Sequence, residues 1–388
     1  MERLLAIRDA IAAAIAPVGS EEIALDAAAG RWLAAPARAR VPSPPYTCSS
    51  MDGFAIRADE VGGPAALPVA FAVYAGDAPP PLPPGQAARI FTGGTLPAGA
   101  DTVVREEGVR VDAAVARFSE AARRGENVRR AGEDVEAGGI ALDAGARIGA
   151  RQAALLASVR AERVTVRRRP AVAVVATGDE VVSGRTPDSN GIAVAASVRA
   201  IGADVSRRAV GDRLDDVAAA LAGALAASDA VITTGGVSVG ERDLVPAALA
   251  RVGADVRVHG VPMKPGKPFL FAVASGKPVF GLPGSPSACL AAFEVFARPG
   301  LLALAGAARR TRAAVPLRLA EAAAGRPGRA RILWATVEPD GRARPLGRDS
   351  AQVRGPALAD ALLLVPAGEG DLPEGAEVTA WLLDDDAQ

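Results

Sequence analysis

The chain has 388 residues, half of them apolar and 23% charged, with 44 acidic and 44 basic side chains and a net charge of zero. That length exceeds what one compact core supports, so several domains are expected. The charge balance excludes a general nucleic-acid binder and a protein held on anionic membranes. The two cysteines, Cys48 and Cys289, are far apart and form no metal-ligand spacing, which points to a reducing compartment without a structural disulfide. Glu2, Arg3, Arg8 and Asp9 interrupt the apolar N-terminus, so it reads neither as a signal peptide nor as a transmembrane helix. No other stretch reads as a membrane span, and a cytoplasmic location is expected.

Taken in order, Leu4, Ile7, Ile11 and Ile15 recur at helical spacing and predict an amphipathic helix ended by Pro17 and Gly19. A second helix is expected over 25–33, then an extended, proline-rich linker over 41–45. Asp52-Gly53 reads as a turn entering a strand. Two uses stay open there: plain hairpin chemistry, or an exposed carboxylate on a rigid turn. Short strands over 67–111 enclose a Thr92-Gly-Gly-Thr95 loop, and a charged turn runs from Gly125 to Asp134. Residues 46–137 therefore read as a small inserted β-rich unit. Residues 138–169, with a helix over 150–158, rejoin residues 1–45.

From Pro170 the pattern alternates strand and helix: strands over 171–176, 205–210, 230–234 and 278–282, helices between. Such alternation implies a doubly wound, mostly parallel α/β sheet over 170–309, with ligands at the carboxyl ends of the strands. Glu180, Asp212, Asp243, Lys264 and Ser287 follow such strand ends and are expected to converge on one cleft. The stretch Thr233-Thr-Gly-Gly-Val-Ser238 feeds a helix and would place unpaired backbone N–H groups where an anion sits. Asp243, at the end of that loop, suits a divalent cation bridging to phosphate. Only three lysines occur, and two of them lie in Lys264-Pro-Gly-Lys267, where proline and glycine fix the path of two compact cations. Residues 310–388 read as a separate small β domain.

Ser50-Met-Asp-Gly-Phe-Ala55, Thr92-Gly-Gly, Asn127-Val-Arg-Arg-Ala-Gly-Glu-Asp134, Thr177-Gly-Asp-Glu180, Gly235-Gly-Val-Ser-Val-Gly-Glu-Arg-Asp243, Lys264-Pro-Gly-Lys-Pro268 and Gly281-Leu-Pro-Gly284 occur in that order. Together they closely resemble the molybdopterin molybdenumtransferases, relatives of the gephyrin E domain, over nearly the whole chain. The resemblance implies four domains in an elongated homodimer, with a cleft between the α/β domain of one subunit and the inserted domain of the other. It also implies a reaction: adenylylated molybdopterin and molybdate react, AMP leaves, and molybdenum ends on the dithiolene. Contact with the enzyme that adenylylates molybdopterin is a further implication. Carried over, Asp52, Asp134, Lys264 and Lys267 would be catalytic, and Glu180, Asp212 and Asp243 would hold Mg²⁺. Thr92, Gly93, Arg130, Thr177, Gly178, Asn190, Gly235, Gly236, Ser238, Pro283, Ser287 and Ser350 would bind substrate. The chain departs from the pattern at Ser285, where the family has Asn, in Gly328-Arg-Ala-Arg-Ile-Leu-Trp334, and in Arg348-Asp-Ser-Ala-Gln352. Two other classes fit parts of this pattern: a non-catalytic molybdopterin-binding scaffold, and a hydrolase of another pyrophosphate.

Overall fold

The computed structural model describes residues 1–383 apart from 239, 241, 242, 326, 348–351 and 369. Its centre is a six-stranded sheet in the spatial order Asp204–Val210, Ala171–Thr177, Ala230–Thr234, Lys277–Leu282, Leu270–Ala274, Asp255–His259. The first four strands run parallel and the last two join antiparallel. Ala230–Thr234 is buried at every position, as a parallel strand covered on both faces must be. Ser275 and Gly276, both at positive φ, make the two-residue turn between the antiparallel pair. Behind the sheet, Pro286–Leu304 forms one helix with a π-helical stretch at Phe293–Ala297. This corrects the membrane expectation in detail. By length and composition the helix could cross a bilayer, yet 83% of the window is buried inside the molecule. Its Glu294 accepts from Arg312 at 2.7 Å.

Ser20–Ala24 pairs with Arg163–Arg167, and Ala37–Arg38 pairs with Ile140–Leu142. These strands and the helix Ala150–Ser158 enclose a core of Leu33, Ile148, Leu156 and Val166. The helix expected over 25–33 is not there. Only a 3-10 turn, Leu25–Ala27, forms, because the amides of Gly30 and Leu33 donate to Ile148 and Ala146 instead of back along a helix. The N-terminal helix Glu2–Ala13 is present but lies against Arg298–Leu304, where Leu4 and Ile11 join the core of the α/β unit.

The inserted unit is a six-stranded sheet from Gly53–Ile56 to Val115–Phe118, packed around Phe54, Ile56 and Leu67. The C-terminal sheet holds Ala314–Arg318, Ala330–Val337, Ala343–Pro345, Ala361–Val365 and Glu377–Leu382. Its sixth strand comes from the α/β unit: Met263–Lys264 pairs in parallel with Ala330 and Arg331. The lysine loop is thus set on the seam between two domains.

Candidate functional site

A cleft of about 400 Å³ opens at the carboxyl ends of the parallel strands. Thr177, Gly178, Glu180, Asn190, Asp212, Gly235, Gly236 and Asp243 line it, together with Gly284 and Pro286. The three acids therefore converge as expected from the alternation. Asp212 and Asp179 hold each other reciprocally: the Asp179 amide donates to Asp212 Oδ2 at 3.3 Å, and the Asp212 amide donates to Asp179 Oδ1 at 3.0 Å. Asp243 Oδ2 accepts from the Gly240 amide at 2.9 Å. The carboxylate of Glu180 accepts no hydrogen bond from the described residues. Asn190 Nδ2 donates to the Gly284 carbonyl at 2.7 Å and ties the helix Ser189–Ala200 to the turn before Pro286.

Glycine is required at two points. Gly236 sits at φ +65°, and a Cβ there would come within 2.9 Å of Thr177 Oγ1; at Gly178, φ +143°, it would meet the Glu180 carboxylate at 2.6 Å. The expected collection of open amides over 233–238 needs correction. The Gly235 amide is spent on the Leu282 carbonyl at 3.0 Å, because this turn also closes the sheet against the neighbouring strand. The helix that follows, Val245–Arg251, begins beyond Asp243.

Lys264, Lys267, Pro283, Ser238 and Ser287 are not among the cleft-lining residues, so the expected convergence of five strand ends is only partly met. The turn at 283–287 divides them. Gly284 and Pro286 border the cleft, whereas Ser287 is buried in the first turn of Pro286–Ala292 and its Oγ accepts from Trp334 Nε1 at 2.9 Å. Gly266 packs the lysine loop on the same helix; a Cβ there would strike Met263. Lys264 and Ser287 thus both lie on the seam with the C-terminal domain. Ser285 caps nothing with its side chain. Ser350 lies outside the described residues.

The inserted unit carries a second cluster. Asp52 Oδ1 accepts from the Thr92 amide at 2.8 Å and the Thr92 hydroxyl at 2.7 Å. These donors, the amide foremost, hold the Asp52 carboxyl below its usual range, with the Arg89 guanidinium adding a smaller pull. The Gly93 amide donates to Ser49, and the Ser50 amide donates to Asn127 at positive φ. Cys48–Ser49 pairs with Val128–Arg129, which carries the charged turn onto the same end. There Arg129 bridges to Asp134 at 2.7 Å, and the Arg130 amide donates to Glu133. Asp52, Thr92, Gly93, Arg130 and Asp134 therefore belong to one interlocked loop cluster, and no residue of 46–137 lines the cleft. Sequence reading missed Thr186 and Asp188 as lining residues; Asp188 also caps the helix Ser189–Ala200, accepting from the Gly191 amide at 2.8 Å.

Divalent-metal donors are present in the right kind but are not preassembled. No group of three His, Cys, Asp or Glu side chains forms a metal cage among the described residues. Carboxylates on one wall of an open cleft fit an ion such as Mg²⁺, which takes one or two carboxylates and completes its shell with phosphates and water.

Three family models match the chain in succession. The MoeA N-terminal region (domains I and II) covers residues 4–159, a probable molybdopterin-binding domain covers 173–303, and the MoeA C-terminal region (domain IV) covers 316–383. Fold and cleft thus define a multidomain protein built around a domain of the molybdopterin-binding type. A molybdopterin molybdenumtransferase of Nostoc sp. is 37% identical over 75% of this chain and 70% of its own length. That of Bacillus subtilis is 36% identical over 72% and 69%. The solved structure of a Pyrococcus horikosii molybdopterin biosynthesis MoeA protein aligns over 98% of both chains at 30% identity, with a TM-score of 0.75. The chain belongs to the molybdopterin molybdenumtransferase family.

Proposed function

We propose that the protein is a transferase of molybdenum cofactor biosynthesis that inserts molybdate into adenylylated molybdopterin with release of AMP. The carrying observation is the cleft in which Glu180, Asp212 and Asp243 stand around the glycine turns at 178 and 235–236. Three acids around an anion would repel it. A divalent cation bound there would turn them into an attractive wall for a pyrophosphate and would supply charge neutralisation to its phosphates. Glu180 and Asp243 would hold it, and Asp212, locked by Asp179, would support them.

The second part of the reading concerns the dimer. The Asp52 cluster is built as rigidly as the cleft yet contributes nothing to it within one chain. A homodimer in which the inserted unit of one subunit covers the cleft of the other brings Asp52, Thr92 and Asp134 to the substrate. Lys264 and Lys267 bind molybdate from the domain seam. Their compact ammonium groups suit a tetrahedral dianion better than a planar guanidinium does, and Ser287 still has its own hydroxyl proton to donate.

The test is AMP release from adenylylated molybdopterin. Wild-type protein should release AMP only when molybdate and Mg²⁺ are both added, and Asp243→Asn should lose release by a hundredfold or more while keeping its fold. Release without molybdate would make it a pyrophosphate hydrolase, and tight binding with no release would make it a scaffold.

A further inference from the structure

Aromatic side chains make up only 4% of the chain, and the exposed ones among the described residues are its two tyrosines, Tyr46 at 37% and Tyr74 at 57%. Tyr74 is not a loose surface ring. It follows directly on the strand Ala65–Val73 and lies flat on Phe91, with centroids 4.7 Å apart and planes 8° from parallel. The Arg89 guanidinium lies 5.2 Å from the centroid of the same Phe91 ring. Phe91 immediately precedes Thr92, whose amide and hydroxyl hold Asp52.

The turn bearing Tyr74 is fastened to the same Thr-Gly-Gly loop. The Tyr74 amide donates to Asp77 Oδ2 at 2.7 Å, Thr95 Oγ1 donates to the Asp77 carbonyl at 2.9 Å, and Ala75 bridges to Gly94. Tyr74 and Asp52 are thus fastened to the same Thr92–Thr95 loop. A ring already fixed in place loses little further freedom when another ring stacks on it, so the gain from stacking is kept. Half-exposed phenol faces of this kind suit a flat, electron-poor heterocycle.

We infer that Tyr74, backed by Phe91 and Arg89, is a stacking platform that positions a planar nitrogen heterocycle of the substrate beside Asp52. The inference rests on the proposed function, which brings adenylylated molybdopterin to this cluster. That molecule carries two such heterocycles, adenine and pterin, one on each side of the pyrophosphate. Tyr74 is a positioning residue and takes no proton in the reaction.

The experiment uses the full-length protein. Tyr74→Ala should raise KM for adenylylated molybdopterin about five- to hundredfold, the range of one lost base–aromatic stack. Its kcat and its KM for molybdate should stay near wild type. Tyr74→Phe should restore KM, whereas Tyr74→Leu, which keeps apolar bulk without a ring, should not. An unchanged KM in Tyr74→Ala, or a leucine variant as good as the phenylalanine one, overturns the platform and leaves the transferase reading standing. If wild-type protein releases no AMP at all, that reading fails instead, and the platform is judged by equilibrium binding of AMP and of neopterin to wild type and Tyr74→Ala. Weakened AMP binding alone assigns adenine to the platform, and weakened neopterin binding alone assigns the pterin. Unaltered binding of both, or no binding of either to wild type, overturns it.

Discussion

Asp52 keeps its charge at a fully exposed position because one residue supplies two donors to one of its oxygens. Hydrogen bonds to the charged form favour that form, so its pKa falls below the ordinary value of 3.8. If Asp52 acts as an anion, the acid limb of kcat/KM for AMP release should reach below that value. Thr92→Val removes the hydroxyl donor and keeps the amide, so the limb should move upward, toward the ordinary carboxylate range, by part of the shift. Thr92→Ser should leave it in place. Profiles of the two variants that superimpose would assign the limb to another group. Asp52 itself was legible in the sequence as an acid on an Asp-Gly turn. Its pairing with Thr92 was not, because it is made across 40 residues and no local spacing encodes it.

Among the elements, the first parallel strand depends on a clamp at its start. Asp229 takes two bonds from Arg168, at 2.7 and 2.6 Å, and a third from the Ala171 amide at 2.8 Å. It thereby sets Ala171–Thr177 in register with Ala230–Thr234 and fixes where both strands end, at Glu180 and at the glycine turn. The Arg168 bonds, ahead of the amide bond, hold the Asp229 carboxyl below its usual value. A depressed folded pKa gives stability that is complete above the unfolded value and is lost as pH falls through the folded one. The clamp should therefore fail between the ordinary carboxylate value and the lower folded one. Asp229→Ala should destabilise the fold at neutral pH by about 1–3 kcal/mol, the cost of unpairing a charged donor and an amide. Its stability difference from wild type should shrink on acidification, as read from urea midpoints across pH. A difference that stays constant down the acid range would show that Asp229 acts by packing alone. This level of structure was the most legible, since alternating apolar runs and caps are local signals. The failures came from pairing over long sequence separations. Gly30 and Leu33 gave their amides to Ile148 and Ala146 instead of to a helix, and Met263–Lys264 paired with Ala330 and Arg331 of the C-terminal domain, a choice the strand's own sequence does not encode.

At the scale of the molecule, the order of motifs along the chain placed Asp52 on an inserted unit and the other acids on the α/β unit. Within one chain the acids of the cleft and the Asp52 cluster stand on different units, and among the described residues the cleft is lined by those between 176 and 286. A site completed across a two-fold axis makes a prediction that a site within one chain does not. Chains carrying Asp52→Ala and chains carrying Asp243→Asn should each be inactive alone. In a mixed dimer, the Asp243 of the first chain faces the Asp52 of the second, which gives one intact site and one doubly broken site. If both homodimers exchange subunits freely, half the dimers are mixed, and about a quarter of wild-type AMP release per site should return. The measurement is AMP release after co-refolding or co-expression, with subunit exchange verified by mass or by a tag on one chain. Activity that stays absent in verified mixed dimers would place Asp52 on its own chain's cleft. Recovery that scales with the mixed fraction would place it on the partner's.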